Sequence, residues 1–111
     1  MAYLNKVQLI GNIGHDLELR RTGDDVAALN IRLATTKRWK DDKGEKKEHT
    51  EWHNVAVYGK PAEIISEYAG KGSTLFIEGE LRTRKWKDKH DEDQYTTEIV
   101  LNEFQFLDKK D

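Results

Sequence analysis

The chain has 111 residues, no cysteine and a formal net charge of −2, from 19 Lys and Arg against 21 Asp and Glu. That length supports one small domain; the lack of cysteine excludes disulfides and thiolate metal sites, and no apolar run reaches the length of a secretion signal or membrane span. The chain reads as soluble and intracellular, and its charge balance excludes holding a polyanion by bulk charge. Apolar and charged residues each make up 36%, so the core is small and a second copy is expected to complete some hydrophobic surface.

In chain order the pattern is nearly all β. Residues 4–13, LNKVQLIGNI, alternate with Val7, Leu9 and Ile13 on one parity, and a short segment at 17–21 ends at the turn signal Thr22-Gly23-Asp24-Asp25. A second strand, 26–38, sets Leu29, Ile31 and Leu33 on one face and Asn30, Arg32 and Thr36 on the other. Lys40 to Glu48 has one glycine and no apolar residue, which predicts a solvated hairpin tip. A third strand follows at 50–59. The period then changes: Pro61, Ile64, Ile65 and Tyr68 are spaced for one face of a short helix, 61–69, with proline in its first turn and Gly70 and Gly72 at its exit. Strands at 74–86 and 95–107 complete the chain, joined by a charged loop. The class is all-β in the main: a five-stranded OB-fold barrel with one short helix between the third and fourth strands, in one domain over 1–111.

Charge is unevenly spread. Residues 37–47 carry six cations against three acids, and residues 82–89 carry five against one. Two of the three tryptophans, Trp39 in KRWK and Trp86 in RTRKWK, have a cation on each side. Strand parity turns Arg82, Arg84 and Trp86 away from the face of Leu75, Ile77, Leu81 and Thr83, and turns Trp52, Asn54 and Tyr58 away from Val55 and Val57. Strict parity from Leu33 would point Trp39 inward, so a bulge or the hairpin start is expected to reverse it. Exposed rings beside cations suit unpaired nucleic acid, whose bases offer π-faces and whose phosphates need neutralising.

Catalytic groupings fare worse. His49 and His53 lie four apart on a strand, about 13 Å between backbones, too far to share a metal. Asp91, Glu92 and Asp93 are consecutive acids in a polar loop and face solvent rather than one ion. GKGST at 70–74 lacks the spacing of a phosphate loop and follows a helix where that motif precedes one.

Five segments, NKVQLIGNIGHDLELR at 5–20, NIRLAT at 30–35, TEWHNVAVYGKPAE at 50–63, EYAGKGSTLFIEGELRTRKWKD at 67–88 and QYTTEIV at 94–100, resemble the bacterial-type single-stranded DNA-binding protein family. The resemblance implies an OB-fold protomer in a homotetramer that binds single-stranded DNA without sequence preference in DNA replication, recombination and repair, in the cytoplasm with the nucleoid. It implies no enzyme activity, no cofactor, no metal and no membrane. Its stacking positions fall on Trp39, Trp52, Tyr58 and Trp86, the third more often phenylalanine in the family. Its phosphate contacts fall on Lys40, Lys60, Lys71, Arg82, Arg84, Lys85 and Lys87. Its subunit contacts fall on the first strand, including Leu4, Asn5, Lys6 and Val7, and on His53. Chromosomal members continue into a long tail with an acidic tip that recruits replication and repair proteins; the chain ends at LDKKD, so recruitment by that route is not expected. The alternatives are another OB-fold module, either a primosome component or an RNA-binding barrel, and a metal-dependent nuclease using the acids of 88–93.

Overall fold

A computed structural model describes residues 1–108; the last three positions of the expected domain, and of LDKKD, lie outside the described residues. The elements are β1 (Val7–Ile13), β2 (Arg20–Arg21), β3 (Ala27–Lys40), β4 (Lys46–Tyr58), α1 (Lys60–Tyr68), β5 (Thr74–Lys87) and β6 (Asp93–Phe106). The sheet runs β1-β5-β6-β4-β3-β2, and β1 also pairs with β3 through Asn12 with Ala34 and Ile13 with Leu33. That second pairing closes β1, β3, β4, β5 and β6 into a five-stranded barrel, as the alternating pattern predicts for an OB-fold. The short segment expected at 17–21 reduces to β2, two residues added to the edge of β3.

Period-two alternation sends the odd-numbered residues of β3, β4 and β5 inward. Leu29, Ile31, Leu33, Val55, Val57, Leu75 and Ile77 are all buried, joined by Ile13, Ile99 and Leu101. Each such side chain contributes about 1.5–3 kcal/mol by leaving water. The helix forms where expected but buries Ala62 and Ile65 rather than the full stripe: Tyr68 is exposed and stands roughly perpendicular to the Phe106 ring, with centroids 6.4 Å apart. Nine residues packed against β3 and β4 cover a narrow strip, so the flank of the stripe stays in water. Among the described residues no helix is long and apolar enough to cross a membrane.

Three expectations are revised. The first strand begins at Val7, not Leu4, because the Asn5 side chain takes over the pairing: its amide donates to the Leu81 carbonyl and accepts from the Leu81 N–H, both at 2.8 Å. The hairpin tip shrinks from 40–48 to residues 41–45, since Lys46, Lys47 and Glu48 stay paired with Lys40, Trp39 and Arg38. Asp41 makes the short turn possible; one carboxylate oxygen accepts the N–H groups of Lys43 and Glu45 at 2.9 Å, and Gly44 supplies φ 78°. Third, the core stops before the strands do. β3–β4 and β5–β6 both run on as two-stranded arms with solvent on either face, so Leu81, on the inward parity, is 51% exposed.

Candidate nucleic-acid interface

Cross-strand bonds fix one face of the β5–β6 arm. Arg82 stands opposite Glu98, Arg84 opposite Thr96 and Trp86 opposite Gln94. Trp86 donates its indole N–H to Thr96 Oγ1 at 2.8 Å, and Arg84 Nε lies 3.3 Å from Glu98, each bond running diagonally to the next even-numbered residue. Arg82, Arg84 and Trp86 therefore share a face, as parity predicts. The even-numbered residues of β3 and β4 continue it: Asn30, Arg32 and Asn54 join Arg84, Thr96 and Glu98 around a cleft of about 440 Å³ whose rim is the loop from His15 to Arg20.

Trp52 lies beside this cleft and rests on Gly14. A Cβ at Gly14 would overlap Trp52 Cζ3 and stand 2.5 Å from Cη2, so a bare backbone is the condition for the ring to approach this closely. The Arg32 guanidinium sits 5.5 Å from the centroid of the ring. Arg32 is missing from the sequence-derived cations although its parity matches that of Trp52 on the neighbouring strand; reading the two strands together would have found it. His15 anchors the rim, accepting the Arg32 N–H at Nε2 (3.0 Å) while Nδ1 lies 2.9 Å from the Asp16 carbonyl. Tyr58 borders a smaller pocket with Arg20, Arg21 and Asn30, where Arg21 is held by Glu63 at 2.9 Å. Arg20 and Arg21, unlike Arg32, have no strand parity in the sequence that would set them beside a ring.

Trp39 differs from its expectation. β3 and β4 keep one register from Ala28–Tyr58 to Lys40–Lys46, with no bulge. Trp39 thus keeps the parity of Leu33, opposite to that of Trp52, and is open because the arm has outrun the core. Lys37, two residues back on the same face, holds its Nζ 6.0 Å from the ring centroid. The four rings are 42–51% exposed (Trp86 42%, Trp39 43%, Trp52 47%, Tyr58 51%), so none is core, and they do not share one face.

The seven cations divide in the same way. Arg82 and Arg84 stand with Trp86, whereas Lys85 and Lys87 project from the opposite face, where Asp93 holds them at 3.2 and 3.3 Å. Lys40, Lys60 and Lys71 lie apart, at the end of β3, the start of α1 and the turn before β5, with no carboxylate in ion-pair range among the described residues. Of the expected subunit contacts, Leu4 is 90% exposed, Lys6 reaches Glu78 at 3.5 Å, Val7 packs on the core, and His53 lies 2.9 Å from the Thr35 hydroxyl.

The acids of 88–93 form a turn matching the one at 41–45. Asp88 accepts the N–H groups of Glu92 (3.0 Å) and His90 (2.8 Å) and the Gln94 amide (3.1 Å), with Asp91 at φ 60° in the place of Gly44. The Glu92 N–H, and after it His90 and Gln94, hold the Asp88 carboxyl below the usual aspartate range, against a smaller opposing effect of desolvation. A depressed folded-state value means the turn has its full support above the ordinary carboxylate range and loses it as pH falls through the depressed value. The His90 and Glu92 amide proton signals are therefore expected to move together on acidification, and Asp88→Asn to abolish that step. Amide signals that titrate unchanged in the variant would remove Asp88 as the cause. Among the described residues no three His, Cys, Asp or Glu side chains converge as metal ligands.

A family model described as the single-strand binding protein family matches residues 4–107. Single-stranded DNA-binding protein 1 of Xylella fastidiosa (strain 9a5c) is 50% identical over 111 residues, covering 99% of this chain and 82% of its own. Among solved structures, the Plasmodium falciparum SSB in complex with ssDNA superposes with a TM-score of 0.83 at 33% identity, covering 97% of this chain and 98% of that one. A deletion mutant of the single-stranded DNA-binding protein from Thermus aquaticus gives a TM-score of 0.81 at 28% identity, covering 95% of this chain and 51% of that one.

Proposed function

The chain belongs to the single-strand binding protein family, and we propose from this that it binds single-stranded DNA without sequence preference and protects it during replication, recombination and repair. The observation that carries the reading is four half-exposed aromatic rings, three of them tryptophan, set beside cations and outside the barrel core. Bases stack on Trp39, Trp52, Tyr58 and Trp86, while Lys40, Lys60, Lys71, Arg82, Arg84, Lys85 and Lys87 neutralise phosphates. Every base has a π-face, so stacking is blind to sequence. Since Trp39 and Trp52 face opposite ways, a strand that reaches both passes around the β3–β4 arm rather than along one flat side.

The mechanism is mass action: a protein that binds the unpaired state and not the duplex shifts the equilibrium toward it, with no chemical step, metal or cofactor. Residues 1–111 act as one domain in the cytoplasm. Protomers associate as a homotetramer through Leu4, Asn5, Lys6, Val7 and His53. Leu4 at 90% exposed and Ile10 at 60% are apolar side chains on or beside β1 that a partner would cover.

The test is tryptophan fluorescence during titration with oligo-dT, with mass by light scattering on the same samples. Stacking is expected to quench emission to a sharp endpoint, at a mass of four chains. Emission that ignores saturating dT would overturn the binding reading; quenching at the mass of one chain would overturn only the assembly.

A further inference from the structure

Glu98 is the shielded acid of this face: Asp16 and Glu18, which line the same cleft, are exposed. Its side chain is 12% exposed, against 57% for Arg84, whose Nε lies 3.3 Å away. A carboxylate that has lost most of its hydration needs a cation beside it; Arg84 is its ion-pair partner, and Glu98 borders the 440 Å³ cleft between Arg84 and Asn54. Arg82 is also paired, with Glu80 at 2.5 Å, but that acid is 35% exposed and lies on the same strand, two residues away. Lys85 and Lys87 pair on the far face. Among the ion pairs of Arg82, Arg84, Lys85 and Lys87, the Arg84 pair has the most shielded carboxylate, and it comes from the neighbouring strand.

We propose that Glu98 is a built-in competitor for the phosphate site at Arg84: its carboxylate neutralises the guanidinium in the free protein, and the backbone of a single strand displaces it. The inference rests on the reading of this face as a single-stranded DNA site. A guanidinium presents five N–H donors in a planar fork, so Arg84 can exchange a carboxylate for a phosphate with a small swing of its side chain. While Glu98 is there, Arg84 adds less than a full charge to the electrostatic attraction, which lowers affinity and flattens its salt dependence.

Glu98→Gln keeps the shape and the hydrogen-bond acceptor and removes the charge. It is expected to tighten oligo-dT binding about two- to fivefold at low salt, the range for an ion pair whose cation, here Arg84 at 57% exposed, stays open to solvent. The log–log salt slope should steepen by up to about 0.7, the increment for one phosphate on a single strand. The Arg84 Nε–H signal in NMR should differ between the free wild-type and variant proteins and coincide in their dT complexes. Unchanged or weaker binding by the variant overturns the proposal, as do Arg84 signals that stay as far apart in the complexes as in the free proteins. Should the variant fail to fold, the Glu98 carboxyl carbon signal of the wild type decides: it shifts on adding dT if the pair breaks, and a stationary signal overturns the proposal. Failure of the wild type to bind dT at all would sink the underlying reading and this inference with it; a wild type that binds while the variant gains nothing sinks the inference alone.

Discussion

Trp86→Ala is expected to weaken binding to oligo-dT by about 1–3 kcal/mol, the range for one base stacked on one ring and equivalent to roughly 5- to 150-fold in Kd. The effect should be large at Trp86 because its ring is held before the DNA arrives. The Thr96 hydroxyl accepts its indole N–H at 2.8 Å, and the flanking strand pairs Arg84 and Trp86 with Thr96 and Gln94 in unbroken register. A ring already oriented loses little entropy on binding, so more of the stacking free energy appears as affinity. Trp86→Phe keeps a π-face but loses the Thr96 bond and should fall between wild type and alanine. Equilibrium titration at one fixed salt concentration checks the order; an alanine variant with wild-type Kd would remove Trp86 from the site.

The largest effect on stability is expected at Gly79. Here β5 and β6 change register, from Glu78 opposite Glu103 to Gly79 opposite Leu101, so that β6 carries one extra residue. The bulge brings the β6 backbone against Gly79: a Cβ there would overlap the Val100 carbonyl oxygen and stand 2.9 Å from Ile99 Cγ2. Ladder bonds hold both strands on either side, so neither can move away without breaking pairing. Gly79→Ala should cost about 2–3 kcal/mol, at the upper end of overpacking, and lower Tm by about 10 °C in a domain of this size. Calorimetry at fixed protein concentration measures it, since association raises apparent stability. An alanine variant melting with the wild type would show that the bulge relaxes freely.

The four tryptophan and tyrosine positions were legible in the sequence as outward rings, except that Trp39 was expected to need a bulge to reach solvent. The ladder has none. Parity was read correctly, but inward parity means buried only where a core exists to receive the side chain. The two turns were also half-legible: Asp41 and Asp88 each stand four residues before a glutamate whose N–H they accept, yet only the first has glycine at the left-handed position. Asp91 in that position hid the repeat. Strand parity puts Arg32 on the outward face, but its link to Trp52 crosses from β3 to β4 and needs the register.

By itself the sequence determined the kind and order of the elements, the two faces of each strand, and the helix, because these follow from backbone periods of about 2 and 3.6 residues that neighbouring positions set locally. Only the tertiary structure decided where the core ends along each strand, which cations meet a carboxylate, and where a backbone must be bare. Those depend on pairs such as Arg84 with Glu98 or Gly14 with Trp52, brought together by barrel closure rather than by spacing. A period repeats along one strand whatever lies across from it; burial and charge pairing are set by what lies across.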